Sequence, residues 1–161
     1  MTEALVDWLL EEADQLDQGR FEDWESRLAA EVVYRAPLRA SVSGTRADGM
    51  SASMDLYFDD RYALSKRMQR LGTDHAWSED PPIRTRRFVT NIRAYGHDLP
   101  GHMVARSNLL VYMTRGDSSP ELISAVRRDV FLETEGGLLL SERMVAVDSS
   151  ILWSQSLTSV L

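Results

Sequence analysis

Three histidines, His75, His97 and His102, are the side chains in this sequence best suited to hold a metal. A two-histidine, one-carboxylate iron site needs two of them to converge with an acid and leave coordination positions open. His97 and His102 flank a Pro-Gly turn with Asp98 between them, so they can approach each other. Nothing nearby supplies the partners that orient metal-bound imidazoles, and no metal is expected in this chain. Proton transfer is the second option. Tyr34, Tyr57, Asp59, Tyr112 and Asp129 are its candidates, provided that a curved sheet encloses them. Structural roles come first for the same residues: core tyrosines with satisfied hydroxyls, a helix cap and an ion-pair partner. The absence of cysteine excludes disulfides, thiolate zinc sites, cysteine-ligated clusters and cysteine nucleophiles. Neither a glycine-rich phosphate loop nor a G-x-S-x-G elbow occurs.

The stretch Trp77–Asn91, Trp-Ser-Glu-Asp-Pro-Pro-Ile-Arg-Thr-Arg-Arg-Phe-Val-Thr-Asn, carries a different pattern. Pro81 and Pro82 forbid helix and push Asp80 and Pro81 toward extended backbone. Arg84, Arg86 and Arg87 follow; on an extended chain the first two share one side and Arg87 takes the other. Such a lead into a sheet is an ion-pair latch on the chain's own helices or a contact surface for another chain. Of the 18 basic residues, all but Lys66 are arginine. Arginine suits interfaces because its planar fork pairs bidentately and desolvates more easily than lysine. A GC-rich genome would also favour it. Trp77, Arg84, Arg86, Arg87, Arg106, Arg127 and Arg128 are the interface candidates.

The elements that position these residues follow from periodicity. Residues 3–18 form an amphipathic helix, with Leu5, Trp8, Leu9, Ala13 and Leu16 on one stripe, Thr2 as N-cap and Gly19 as stop. Phe21, Trp24 and Leu28 recur at i, i+3, i+7 and predict a second short helix. Val32 to Ala36 is a strand that Pro37 ends. Ser41 to Ser53 is a loop or weak hairpin and the segment expected to be most mobile. Asp59 or Asp60 caps a third helix through Leu71, which Gly72 ends. From Arg87 the period changes to two. Strands follow over 103–115, Leu122 to Glu133 and Leu138 to Val147, joined by short turns that favour antiparallel neighbours. The reading is α+β: a curved, mainly antiparallel sheet with about three helices, from the N-terminal half, packed on one face. Both faces of the strands are partly apolar, so the second face needs a partner or a closed interior. Arg93, Arg106, Arg127, Arg128 and Arg143, with Asp129 and Glu142, make cross-strand ion pairs available.

A length of 161 residues fits one domain spanning 1–161. Net charge is −7, and residues 1–31 carry ten acids against Arg20 and Arg27. An acidic helical end repels phosphate, so nucleic acid is not expected as a partner. No apolar run approaches the ~20 residues of a membrane span. The acidic start carries no basic leader, and a cytoplasmic protein with no membrane partner is expected.

Four stretches together resemble the small (β) subunit of bacterial aromatic-ring-hydroxylating dioxygenases, the Rieske non-haem iron oxygenases. They are Gly19-Arg20-Phe21-Glu22-Asp23-Trp24, Phe58-Asp59-Asp60, Ala76 to Asn91 and Arg106-Ser107-Asn108-Leu109-Leu110-Val111-Tyr112, with Arg127-Arg128-Asp129-Val130 and Glu142-Arg143 fitting later. Ile151 to Leu161 departs from the family's Asn-Leu-Ser-type ending. The resemblance implies a cone of sheet and helices of the nuclear-transport-factor-2 (NTF2) type, and a structural role. It places the Rieske [2Fe–2S] cluster and a mononuclear Fe(II) in a large (α) subunit. It also implies a trimer of this chain, usually in a three-plus-three heterohexamer, with ferredoxin or reductase delivering electrons from NAD(P)H. No catalytic or cofactor-binding residue is implied here. The alternative is a stand-alone cone-fold isomerase, dehydratase or cyclase-like enzyme, which would show a sealed pocket with a perturbed acid.

Overall fold

The computed structural model describes residues 2–39, 50–77, 83–149 and 161; the side chains of residues 2, 38–39, 50–54 and 73–77 lie outside the description. The order is α1 (Thr2–Asp17), α2 (Phe21–Ser26), β1 (Leu28–Arg39), β2 (Met50–Asp60), α3 (Arg61–Trp77), β3 (Ile83–Gly96), β4 (His102–Arg115), β5 (Glu121–Thr134) and β6 (Gly137–Val147). The expected Thr2 side-chain cap and the two prolines at 81 and 82 lie outside the described residues.

In α1 the stripe Leu5, Trp8, Leu9, Ala13 and Leu16 is buried. The helix closes in a Schellman turn. Gly19, at φ +70°, donates its N–H to the Leu16 carbonyl, and the Arg20 N–H reaches the Gln15 carbonyl at 2.8 Å. Asp60 caps α3, its Oδ1 accepting the Ala63 N–H at 2.8 Å. Two helix ends differ from expectation. α3 runs through Gly72 to Trp77. A lone glycine costs a helix about 1 kcal/mol, too little to end one that packs Leu64 and Met68 into the core. α2 stops at Ser26, so Leu28 reaches the core from the first residue of β1.

The strands form one six-stranded sheet in the order β2-β1-β6-β5-β4-β3. The four-strand meander expected from the sequence is β3 to β6, all antiparallel. β1 then lies parallel to β6, and β2 pairs antiparallel with β1. β2 takes in Met50 to Ser53, read from the sequence as part of a loop or weak hairpin, and its antiparallel pairing with β1 fits the second of these; residues 41–49 of that stretch lie outside the described residues. β3 begins at Ile83, not Arg87, because its alternation is written in arginine and threonine instead of apolar residues.

One bulge sets which way the far half of β3 faces. Asn91 sits at φ 53°, and the register with β4 slips between Thr90 and Arg93. Asparagine tolerates this left-handed backbone better than most residues. The extra residue returns Arg93 and Tyr95 to the face that carries Phe88.

The helices cover one face of the sheet. There the Trp8 ring meets Phe131 edge-on at 4.8 Å, and its indole N–H donates to the Leu138 carbonyl at 2.9 Å. Ala105, Leu109, Val111, Ala125 and Val145 complete this inner face. The other face exposes Phe58, Phe88, Tyr95, Leu110, Tyr112 and Leu122.

Candidate functional site

Glu12 stands on the apolar stripe of α1, between Leu9 and Leu16, so the helix buries it as deeply as its neighbours. It lands on two sheet arginines. Arg143 grips it with two hydrogen bonds, Nη1 to Oε1 at 2.6 Å and Nη2 to Oε2 at 2.8 Å. Arg127 Nη1 donates to Oε2 at 3.1 Å, and the Trp24 indole to Oε1 at 2.8 Å. Arg143 also binds Asp129 through Nε at 2.7 Å and Nη2 at 2.9 Å. Strand register builds the rest: Tyr34 lies opposite Arg143, Arg143 opposite Asp129, and Ser107 opposite Arg127. Glu12, Asp129 and Arg143 are completely buried and Arg127 is 1% exposed. Two anions and two cations therefore share one dry site.

Burial alone would raise the Glu12 pKa. The charges of Arg143 and Arg127, with hydrogen bonds from Arg143 and Trp24, outweigh it and bring the carboxyl down to about 2. Burial lowers the Arg143 pKa, but Asp129 and Glu12 outweigh it and carry it well above the ordinary value. Burial pushes Tyr34 up, and burial with the nearby Tyr34 pushes Tyr57 well up. Glu12 thus stays ionised and both tyrosines neutral around pH 7, whereas an acid–base catalyst works best with a pKa near the operating pH.

The proton-transfer candidates occupy known places. The Tyr34 hydroxyl donates to the main-chain oxygen of Leu161, a buried residue. Its ring lies 5.6 Å from that of Tyr57. Asp59 is buried against Arg67, whose Nε is 2.9 Å away. Tyr34, Tyr57, Asp59 and Asp129 do share the inner face, but as parts of an ion-paired core. Tyr112 is on the other side of the sheet, opposite Arg86. The rings of His97 and His102 lie 5.5 Å apart, tilted by 39°, and spend ring nitrogens on the turn, at the Leu99 N–H and the Pro100 carbonyl. Among the described residues no cluster of three or more His, Cys, Asp or Glu could hold a metal. The side chain of His75 lies outside the described residues.

The interface candidates separate into two groups. Arg127 and Arg87 are core residues, which corrects their reading as contact surface. Arg87 is the latch. Its Nη1 pairs with Asp17 Oδ1 at 2.6 Å, its backbone N–H donates to Asp17 Oδ2 at 2.8 Å, and the Thr85 hydroxyl joins Oδ1 at 3.0 Å. This ties β3 to the last residue of α1. Arg84, Arg86, Arg106 and Arg128 are on the outer face, the last in a solvated pair with Glu142 at 3.2 Å. Trp77 ends α3, and its side chain lies outside the described residues.

Alanine substitution separates the two groups. Arg87→Ala takes the cation from a nearly buried Asp17, leaving it only the backbone N–H and the Thr85 hydroxyl, and is expected to cost about 1–3 kcal/mol. Arg84→Ala and Arg86→Ala should stay within about 0.5 kcal/mol in the isolated chain, as solvated surface changes do. Urea unfolding of the three variants measures this, and an unchanged midpoint for Arg87→Ala would refute the latch.

Glu12 is the residue that sequence reasoning missed. The signal was its position: a carboxylate spaced i+3 from Leu9 and i−4 from Leu16 must be buried, and a buried charge needs a partner.

Comparison with known proteins places this geometry. The family described as ring hydroxylating beta subunit matches residues 11–154. Biphenyl 2,3-dioxygenase subunit beta of Rhodococcus jostii (strain RHA1) is 28% identical over 152 residues, 91% of this chain and 81% of that protein. Chlorobenzene dioxygenase subunit beta of Cupriavidus sp. (strain PS12) is 30% identical over the same shares of each. A chain of naphthalene 1,2-dioxygenase, solved with indole in the active site, superposes with a TM-score of 0.85. That match covers 97% of this chain and 83% of the other at 24% identity, and shows the fold. With an NTF2-like cone of α+β architecture and a family match over most of its length, the chain belongs to the beta subunits of aromatic-ring-hydroxylating dioxygenases.

Proposed function

We propose that this chain is the structural, assembly-forming subunit of its oxygenase and leaves the iron chemistry to a large subunit. The observation that carries this is the filling of the cone. Where a cone-fold enzyme would keep an acid facing its pocket, Glu12 and Asp129 are neutralised by Arg127 and Arg143. A Rieske centre needs two cysteines, and the sequence has none. The Rieske [2Fe–2S] cluster is therefore assigned to the partner large subunit, and the mononuclear Fe(II), whose ligands are histidine and carboxylate, is assigned there with it, with electrons arriving from NAD(P)H through ferredoxin and reductase. Residues 1–161 act as one unit, trimerise, and join three large subunits in a cytoplasmic heterohexamer that opens aromatic compounds to catabolism. The names of the biphenyl and chlorobenzene relatives support an aromatic substrate.

Co-expression with a Rieske-type large subunit tests this. A brown complex of equal stoichiometry is expected, and the large subunit alone should lose assembly or activity. Purified by itself, this chain should be colourless, free of stoichiometric iron and inert toward arenes. One tightly held iron per chain, lost on replacing His97 or His102, would overturn the reading. So would a stable monomer indifferent to the large subunit.

A further inference from the structure

The outer face of β3, β4 and β5 carries an arrangement the chain does not resolve within itself. Arg93 lies directly opposite Arg106, and Arg106 opposite Arg128. Like charges facing each other across strands destabilise a sheet unless something neutralises them. Arg128 has Glu142. Arg84, Arg86, Arg93 and Arg106 have no ion pair or hydrogen bond among the described residues. Between these arginines the same face exposes Phe88 opposite Leu110, and Tyr112 opposite Leu122, with Phe88 50% and Leu122 64% exposed. Arginine and aromatic residues around a leucine are the composition of a protein interface core.

The complementary surface is on the far side of the same sheet. The solvent face of α1 presents Glu3, Asp7, Leu10, Glu11 and Asp14, with Leu10 49% exposed among the acids. Arg20 takes Glu11 and Asp14, which leaves Glu3 and Asp7 without a basic partner among the described residues. A groove of about 1080 Å³ beside the helix has Asp7, Leu10, Glu11 and Glu133 on its walls. The dimensions match: a helix the length of α1 spans ~24 Å, and β3 from Arg84 to Arg93 spans ~30 Å. Yet α1 is tied to the inner face through Asp17 and Arg87, so the sheet itself separates acids from arginines within one chain.

We infer that the arginine-and-aromatic outer face of β3–β5 receives the acidic face of α1 from a second copy, with Leu10 set among Phe88, Leu110 and Tyr112. Two different patches that face opposite ways make a head-to-tail contact, and such contacts close into rings when the rotation permits. This rests on the self-association proposed above and names the surfaces that produce it. A single-stranded nucleic acid would also accept arginine and aromatics, but the exposed acids and the net charge of −7 oppose it.

A charge-swap experiment tests the contact in the full chain, read by sedimentation and light scattering. Arg93→Glu with Arg106→Glu should weaken self-association at least tenfold. Glu3→Lys with Asp7→Lys should do the same, while the far-UV circular dichroism of both pairs stays that of the wild type. Combining all four substitutions in one chain, so that every contact is made through swapped patches, should restore association. Wild-type self-association that neither pair disturbs, or a fourfold variant that does not recover it, would overturn the contact and leave self-association standing. Variants that self-associate normally but lose the large subunit, or lose binding to a single-stranded oligonucleotide, would also overturn it by assigning the face elsewhere. A wild type that stays monomeric, alone and with the large subunit, would overturn the self-association itself.

Discussion

Glu12→Ala is expected to cost about 3–5 kcal/mol, a large part of the stability of a chain this size. The lost side chain is small, but the damage lies in what remains. Arg127 would have only Ser107, at 3.4 Å, and Arg143 only Asp129, both in a site with no water access of their own. The Trp24 indole would lose its acceptor as well. Glu12→Gln keeps an acceptor for Trp24 and should fall between alanine and wild type. Replacing Glu12, Arg127, Arg143 and Asp129 together by apolar residues of similar volume should cost less than Glu12→Ala alone, because no charge is then left behind. Urea unfolding of this series decides the matter. A loss below about 1 kcal/mol for Glu12→Ala would mean that solvent reaches the network and screens it.

The same network makes the fold sensitive to acid. The folded-state pKa of Glu12 is depressed, from 4.5 to about 2. Between those values the unfolded chain binds the extra proton, so stability falls as pH falls. The contribution is fully present above about pH 5 and is lost progressively as pH approaches 2; its size is about 3 kcal/mol. Unfolding midpoints at pH 6, 4 and 3 should show the decline, and Glu12→Gln should flatten it. A wild-type profile no steeper than that of Glu12→Gln would show that the arginines do not hold the carboxylate. The alkaline side has the opposite sign. Tyr34 and Tyr57 are raised above their ordinary 10, so what they contribute is present below that pH and declines as pH rises past it.

The sequence was most legible where periodicity and burial agree. The α1 stripe and the four long strands from β3 onward follow from spacing, which also narrowed the α3 cap to Asp59 or Asp60. Spacing made cross-strand ion pairs available as well, and the fold selects two of them, Asp129 with Arg143 and Arg128 with Glu142, on strands joined by a short turn. β2 was only half legible: Met50, Ala52, Met54 and Leu56 alternate with Ser51, Ser53 and Asp55 at strand period, but small and polar residues dilute that signal and the strand pairs along one edge only. Its neighbour β1 lies beside a strand more than a hundred residues away, and no local pattern announces that pairing. Arg127 and Arg128 show the same limit in two adjacent residues. Strand parity sends them to opposite faces, but which face the helices cover is a tertiary fact. Asn91 hides another: a bulge reverses parity midway along β3, so simple alternation puts Arg93 on the wrong side.

The sheet order also has a consequence for the making of the protein. β6 lies between β1 and β5, so the last of the described strands to be synthesised joins the first pair to the meander. Glu12 and Arg143 are 131 residues apart. At about 5–20 residues per second, a ribosome delivers the arginine on the order of ten seconds after the acid. Until Arg127 and then Arg143 emerge, α1 carries a charge on its apolar stripe with no sheet arginine to meet it, and until β6 is made both β1 and β5 have open edges. The cone therefore closes only after β6 has been made. A chain released before β6 would have two unjoined pieces of sheet, each with an exposed edge able to pair with other chains.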